Sequence, residues 1–450
     1  MKTKRFAAVV ASLGIIASMA AIVPMSAGAA YPVADQATGG SVKFNKYLVI
    51  PTGTAVPNVS TVFTITPVDP PVATVQDTIL TFKGVEGVVF GASEGVVPSE
   101  NRKSATVSFN TNNETILDIN KEDKSVELDG ESNNEKFATV PVTVDFSAVK
   151  FPEPGIYCYE LSETIPEGVS VVNVSGTKCI YYVNVIDTDG KLSVESYTLQ
   201  NGTEAPDFET LTDNDVEPPV DYEHNKKKID GVTNRYKSYS IEFNKVVQGN
   251  QGSRDKYFKF TVKLTNPAVG EEGHVNVSND NIFVIDTENS EYDLAPEKNL
   301  VTKYSAEEML KANSTDIHST TGEGAYKYVT YSELAAGKDF YLHSGQNIDI
   351  LGIPEGLGYE ITEVEEDYTP AVGAKSGEGM DADGVVADTK NKITDTALTA
   401  NAEVTFTNTK GGVIPTGVIV SVAGSAGIVA VGVAGVACGL FMKKKKSDEE

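Results

Sequence analysis

The chain has 450 residues, with 37 Lys and Arg against 63 Asp and Glu, a formal charge of −26, three cysteines and four histidines. A negative field of that size repels nucleic acid and anionic lipid at long range and suits an exposed exported segment, so no nucleic-acid partner is expected. The histidines fall in no G-x-S-x-G, H-E-x-x-H or phosphate-loop pattern and the cysteines lack zinc spacing. No enzyme activity, cofactor or metal is therefore expected.

Residues 1–29 read as an export signal: MKTKR, an apolar stretch from Phe6 to Met25, then SAGAA with cleavage after Ala29. A retained anchor is the competing reading, which the small-residue exit disfavours. Strand-like runs follow, each bounded by Gly, Pro, Asn or Asp: VSTVFTITPV, ATVSFN, TVPVTVDF, CIYYVNV, YFKFTVKL and AEVTFTN. Helical patterns are scarce, although Ser305 and Glu308 have the spacing of a capping box opening a short helix to Asn313. The expected class is all-β, built of antiparallel sandwiches.

Cys158 in YCYEL and Cys179 in KCIYYV are the only cysteine pair in the exported part. A Cys158–Cys179 bridge between neighbouring strands is favoured there over two free thiols. DTDG at 187–190 and the DADG within 373–384 lack the remaining ligands of a calcium loop and read as Asp-Gly turns.

An internal repeat organises the middle of the chain. SVKFNKYL (41–48) matches SIEFNKVV (240–247), IYCYELSETIPEG (156–168) answers GYEITEVEEDY (358–368), and GVTNRY (231–236) answers VTFTNTK (404–410). Lys, Glu and Asn thus recur in one order: Lys46, Glu163, Asn234, then Lys245, Glu363, Asn408. The boundary falls between Asn234 and Lys245, which divides the chain into domains at 30–237 and 238–410 with a very short linker.

Alternation places Lys46 on the face of Phe44, Lys245 on that of Phe243, Asn408 on that of Phe406, and Glu363 on that of Tyr359 and Ile361. A buried lysine tends toward the neutral, nucleophilic amine, and a buried carboxyl keeps its proton. The expected chemistry is attack of each lysine Nζ on the asparagine carboxamide. Glu163 or Glu363 polarises the carbonyl and shuttles protons, ammonia leaves, and the isopeptide cross-links Lys46–Asn234 and Lys245–Asn408 remain. For one triplet alone, solvated residues or ordinary ion pairs would be the better reading. Recurrence in the same order favours the bond.

Val418 to Met442 is a run of 25 uncharged residues followed by KKKK. It is long enough to cross a bilayer as a helix, with the lysines favouring a cytoplasmic tail. The segment 411–450 is therefore read as the VIPTG motif, a transmembrane helix and a basic tail.

FNK, YEITE and FTN in the second repeat, and FNK, YELSE and VTN in the first, resemble the streptococcal backbone-pilin family. Val232 stands where the family pattern has an aromatic residue. The resemblance implies two tandem immunoglobulin-like sandwiches of the isopeptide-linked type. It also implies that VIPTG (413–417) is a variant sortase sorting signal cut between Thr416 and Gly417, with Pro415 third rather than second. The acyl end would pass to a lysine of the next subunit or to peptidoglycan. Lys227, or its neighbours Lys226 and Lys228, is the implied acceptor. The partners so implied are a pilus-specific sortase, neighbouring subunits, peptidoglycan, and accessory pilins or host ligands. The leading function is a covalently polymerised pilus shaft subunit, and the alternative is a monomeric wall-anchored adhesin on the same frame.

Overall fold

The computed structural model describes residues 35–37, 40–70, 81–116, 135–174, 176–201, 228–229, 231–287, 292–294, 303–322, 325–375 and 386–412. The expected signal, the VIPTG motif with Thr416 and Gly417, the apolar run, Lys226, Lys227 and the DADG turn lie outside them. The architecture is all-β, with two pairs of curled sheets consistent with tandem immunoglobulin-like domains.

The N-terminal half is built from β1 (Ser41–Pro51), β2 (Val59–Pro67), β3 (Glu135–Asp145), β4 (Gly155–Thr164), β5 (Val171–Asn173), β6 (Lys178–Thr188), β7 (Lys191–Asn201) and β8 (Gly231–Tyr236), with shorter strands at the margins. One sheet sets β7, β6, β4 and β2 side by side, and the facing sheet runs β5, β8, β1, β3. β8 is parallel to β1, so the last long strand of this half closes directly on its first. Phe44 of β1 meets Phe63 of β2 edge-on, with ring centroids 5.1 Å apart across the two sheets. The interior is one continuous cluster from Val42 to Tyr236.

The C-terminal half repeats the plan with β9 (Ser238–Gln248), β10 (Phe258–Thr265), β11 (Asn347–Pro354), β12 (Gly358–Glu363), β13 (Thr369–Ala374) and β14 (Ala402–Thr409). β9 shows why these residues become a strand. Ile241, Phe243, Lys245 and Val247 are buried, and the residues between them face outward, as a period of two on a half-covered sheet requires. β14 runs parallel to β9, and β10 pairs with β12 in the facing sheet. The second core extends from Ile241 to Phe406. A short helix, α1 (Ala306–Leu310), stands where the capping pattern placed one, and Ser305 Oγ accepts from Glu308 N at 3.0 Å. The chain then widens into a π-turn at Lys311–Thr315.

A single residue, Lys237, separates β8 from β9. Its N–H donates to Ser170 O at 2.9 Å, and its carbonyl accepts from Glu355 N at 3.0 Å. Further bonds join the halves, among them Asn276 N to Gly168 O at 2.8 Å, Asn58 N to Asn281 Oδ1 at 3.0 Å and Ser170 Oγ to Glu355 O at 3.0 Å.

The expected Cys158–Cys179 bridge is corrected: both thiols are free and buried. On the β4–β6 ladder Cys158 lies opposite Tyr182, and Cys179 lies opposite Leu161. That three-residue offset puts the two side chains on opposite faces of the sheet, roughly 10 Å apart along the strands, beyond the reach of a disulfide. Burial pushes each thiol up to about 12, which makes both poor nucleophiles. DTDG is an Asp-Gly hairpin turn joining β6 to β7, with Asp189 at φ 54° and Gly190 at φ 81°. Gly190 N–H donates to Asp187 Oδ1 at 2.6 Å.

Candidate cross-linking sites

Lys46 leaves β1 toward the interior beside Phe44, and Asn234 leaves the parallel neighbour β8 on the same face. The register pairs Lys46 with Val232, so Asn234 lies two residues further along. In the C-terminal half Lys245 pairs with Phe406, and Asn408 again lies two residues further along. An identical stagger on parallel strands sets amine and carboxamide on one diagonal of the sheet. The acid comes from the opposite sheet: Glu163 near the end of β4, Glu363 at the end of β12.

All six side chains are buried, with Lys46, Asn234 and Lys245 at 0% exposure. Lys46 Nζ lies 2.8 Å from Glu163 Oε1, and Asn234 Nδ2 donates to the same oxygen at 2.9 Å. Lys245 Nζ donates to Glu363 Oε1 at 2.7 Å, and Asn408 Nδ2 donates to that oxygen at 2.6 Å. In each triplet one carboxyl oxygen is therefore shared by the amine and the carboxamide.

Burial lowers both lysines to about 8 against the opposing pull of the paired glutamate. Desolvation raises the Glu363 carboxyl, opposed by Lys245 and the Asn408 hydrogen bond. Asn234 Oδ1 and Asn408 Oδ1 are buried with no hydrogen-bond partner. An orphaned acceptor of that kind is costly. Turning either carboxamide end for end would aim its oxygen at the shared carboxyl oxygen, which can satisfy it only by holding a proton. In the C-terminal half, where burial raises Glu363, the site is thus fitted to a neutral amine and a protonated acid.

One aromatic residue at the first site and two at the second escaped the sequence reading. Phe63 lies directly across the β2–β4 ladder from Glu163, and Phe260 occupies the same place against Glu363. Lys46 Nζ is 5.7 Å from the Phe63 ring, and Lys245 Nζ is 4.3 Å and 5.7 Å from Phe258 and Phe260. These rings wall the amines off from water. The repeated Phe-Thr-aliphatic of 63–65 and 260–262 was the signal that could have found them. Asn173 of β5 was missed as well: its Nδ2 donates to Glu163 Oε2 at 2.6 Å. Of the lysines at 226–228, Lys228 belongs to a two-residue strand whose backbone pairs with Leu199 and Gln200 on β7. Among the described residues no group of His, Cys, Asp or Glu is placed to hold a metal ion.

Among the described residues, each sandwich interior thus holds an amine, an acid and a carboxamide in contact. Residues 90–213 match the family model described as the Spy0128-like isopeptide containing domain, and residues 299–410 match one described as a domain of unknown function, DUF7601. The first match includes Glu163, and the second includes Glu363 and Asn408. The chain is 24% identical over 306 residues to a pilin of Streptococcus pyogenes serotype M1, covering 67% of this chain and 71% of that one. Among solved structures, the major pilin of Streptococcus pyogenes aligns at 20% identity over 84% of this chain and 100% of its own, with a TM-score of 0.44. The T3.2 major pilin of serotype GAS13637 aligns at 16% identity over 82% of this chain and 99% of its own, with a TM-score of 0.42. The chain is thus similar to Gram-positive pilins, and its residues 90–213 match the Spy0128-like isopeptide containing domain.

Proposed function

We propose that the two triplets mature autocatalytically into Lys46–Asn234 and Lys245–Asn408 isopeptide bonds, and that the chain works as a covalently polymerised, wall-anchored shaft subunit of two domains, 30–237 and 238–410. The observation that carries this reading is the single carboxyl oxygen shared by amine and carboxamide in both halves.

The neutral Nζ attacks the asparagine Cγ while the carboxyl proton moves to the carboxamide. The carboxylate then accepts a proton from the attacking nitrogen and passes it to the leaving one. The Cγ–Nδ2 bond breaks as the carbonyl re-forms and returns its proton to the carboxylate, and ammonia departs. Folding supplies the proximity, which is worth about 7–11 kcal/mol in well-oriented intramolecular reactions. Each bond closes a loop of roughly 190 or 160 residues, for which cross-link entropy gives about 5 kcal/mol. A pilus-specific sortase would cut between Thr416 and Gly417 and join the acyl end to Lys226, Lys227 or Lys228 of the next subunit, and finally to peptidoglycan.

Intact mass tests the reading directly. The exported region should weigh about 34 Da less than its sequence, about 17 Da for each ammonia lost. Glu363→Ala should restore about 17 Da, with peptide mapping placing the missing bond at Lys245 and Asn408. An unmodified wild-type mass would overturn the cross-links. Monomer alone in wall extracts, with the sortase present, would overturn the shaft.

A further inference from the structure

The two glutamates differ in what holds the second carboxyl oxygen. Asn173 ends the edge strand β5, directly across from Asn234, and its Nδ2 occupies Glu163 Oε2 at 2.6 Å. Its own Oδ1 is buried without a hydrogen-bond partner. In the C-terminal half Glu363 Oε2 is buried and unpartnered. The neighbouring Asn391 donates to the Glu363 backbone carbonyl at 2.9 Å rather than to the carboxyl.

We propose that Asn173 is a positioning residue for the N-terminal cross-link, dictating which oxygen of Glu163 carries the transferable proton. This rests on the reading that Lys46 and Asn234 become bonded. The terminal torsion of a glutamate is broad and roughly two-fold, so an untethered carboxyl can present its proton on either oxygen. A proton on the far oxygen is useless, because Lys46 and Asn234 both face Oε1. The Asn173 N–H already fills the hydrogen position beside Oε2, which makes Oε2 an acceptor and leaves Oε1 as the site of the proton. That proton goes to the Asn234 carboxamide as Nζ attacks Cγ. Oε1 next takes a proton from Nζ and delivers it to the departing nitrogen, and the re-forming carbonyl returns its proton to Oε1 as ammonia leaves. Asn173 is unchanged throughout. It is not itself the electrophile: β5 lies beyond β8 from β1, and its carboxamide faces the oxygen that Lys46 does not touch.

The test uses the full chain made by cell-free synthesis, with acid-quenched time points read by intact mass and peptide mapping. The Lys245–Asn408 bond in the same molecules serves as an internal clock. Asn173→Ala should slow the Lys46–Asn234 bond roughly tenfold or more relative to that clock. Asn173→Asp can donate to Oε2 only while its carboxyl is protonated, so the first bond should recover at acid pH and fail at alkaline pH. Wild-type ratios and an unchanged pH profile in both variants would overturn the proposal. Loss of the first bond in both variants at every pH would reduce Asn173 to a structural role and overturn it equally. A wild-type chain lacking the first bond would instead overturn the cross-link reading beneath it.

Discussion

At Lys245 two opposing forces set the chemistry: burial drives the amine toward neutrality, and Glu363 draws it back toward the ammonium. The reactive form, neutral lysine beside protonated glutamic acid, has the same net charge as the unreactive ion pair. Its share is therefore constant between the two pKa values and falls outside them. The Lys245–Asn408 bond should form fastest between the raised value of Glu363 and about 8, slowing on either side. Mass analysis of chains folded across pH 5 to 9.5 checks this, and a rate that climbs steadily past pH 9 would contradict it. That Lys245 and Asn408 face inward was legible from alternation with Phe243 and Phe406. That they share one oxygen was not, because it depends on a strand more than forty residues away in the facing sheet.

Among the elements, the parallel closure of β8 on β1 sets the N-terminal stagger. Gly231 opens β8 opposite Asn45, and a Cβ there would collide with the Asn45 carbonyl. Gly231→Ala should cost about 1–3 kcal/mol by overpacking and slow the Lys46–Asn234 bond while sparing Lys245–Asn408, as mapping of both peptides would report. On the outer side of the C-terminal half, Glu242 of β9 stands directly opposite Asp349 of β11, and Asp286 N–H donates to the Asp349 carbonyl. Burial and the charges of Glu242 and Asp286 raise Asp349 from 3.8 to about 7. The folded state thus holds a proton that the unfolded state releases between about pH 4 and 7, so the stability it confers is present below pH 4 and lost as pH rises through 7. Asp349→Asn should raise the melting temperature at pH 8 and leave it nearly unchanged at pH 4. An equal shift at both would show that charge is not the cause. This pairing of like charges was invisible in the sequence, because strand register is a tertiary property.

Across the whole molecule, the cross-links would decide how much chain can be drawn out. With Lys245 tied to Asn408, pulling on the two ends of the C-terminal half loads the bond and leaves the chain between them slack. In an Asn408→Ala variant the 163 residues of separation become extensible, which should release about 500 Å of hidden length in single-molecule pulling. An equal extension in the wild type would contradict the tie. The one-residue junction at Lys237, with hydrogen bonds on both of its backbone groups, couples the halves closely.

By itself the sequence determined the β class, the two-fold repeat and the inward side of Lys46, Lys245 and Asn408, because a period of two is local and survives in any register. Only the tertiary structure decided that Cys158 and Cys179 point to opposite faces, that Asn173 meets Glu163, and that Asp349 faces a second carboxylate. Those relations depend on which strands become neighbours and at what offset. Long-range packing of the whole sheet selects that offset, and no short stretch of sequence encodes it.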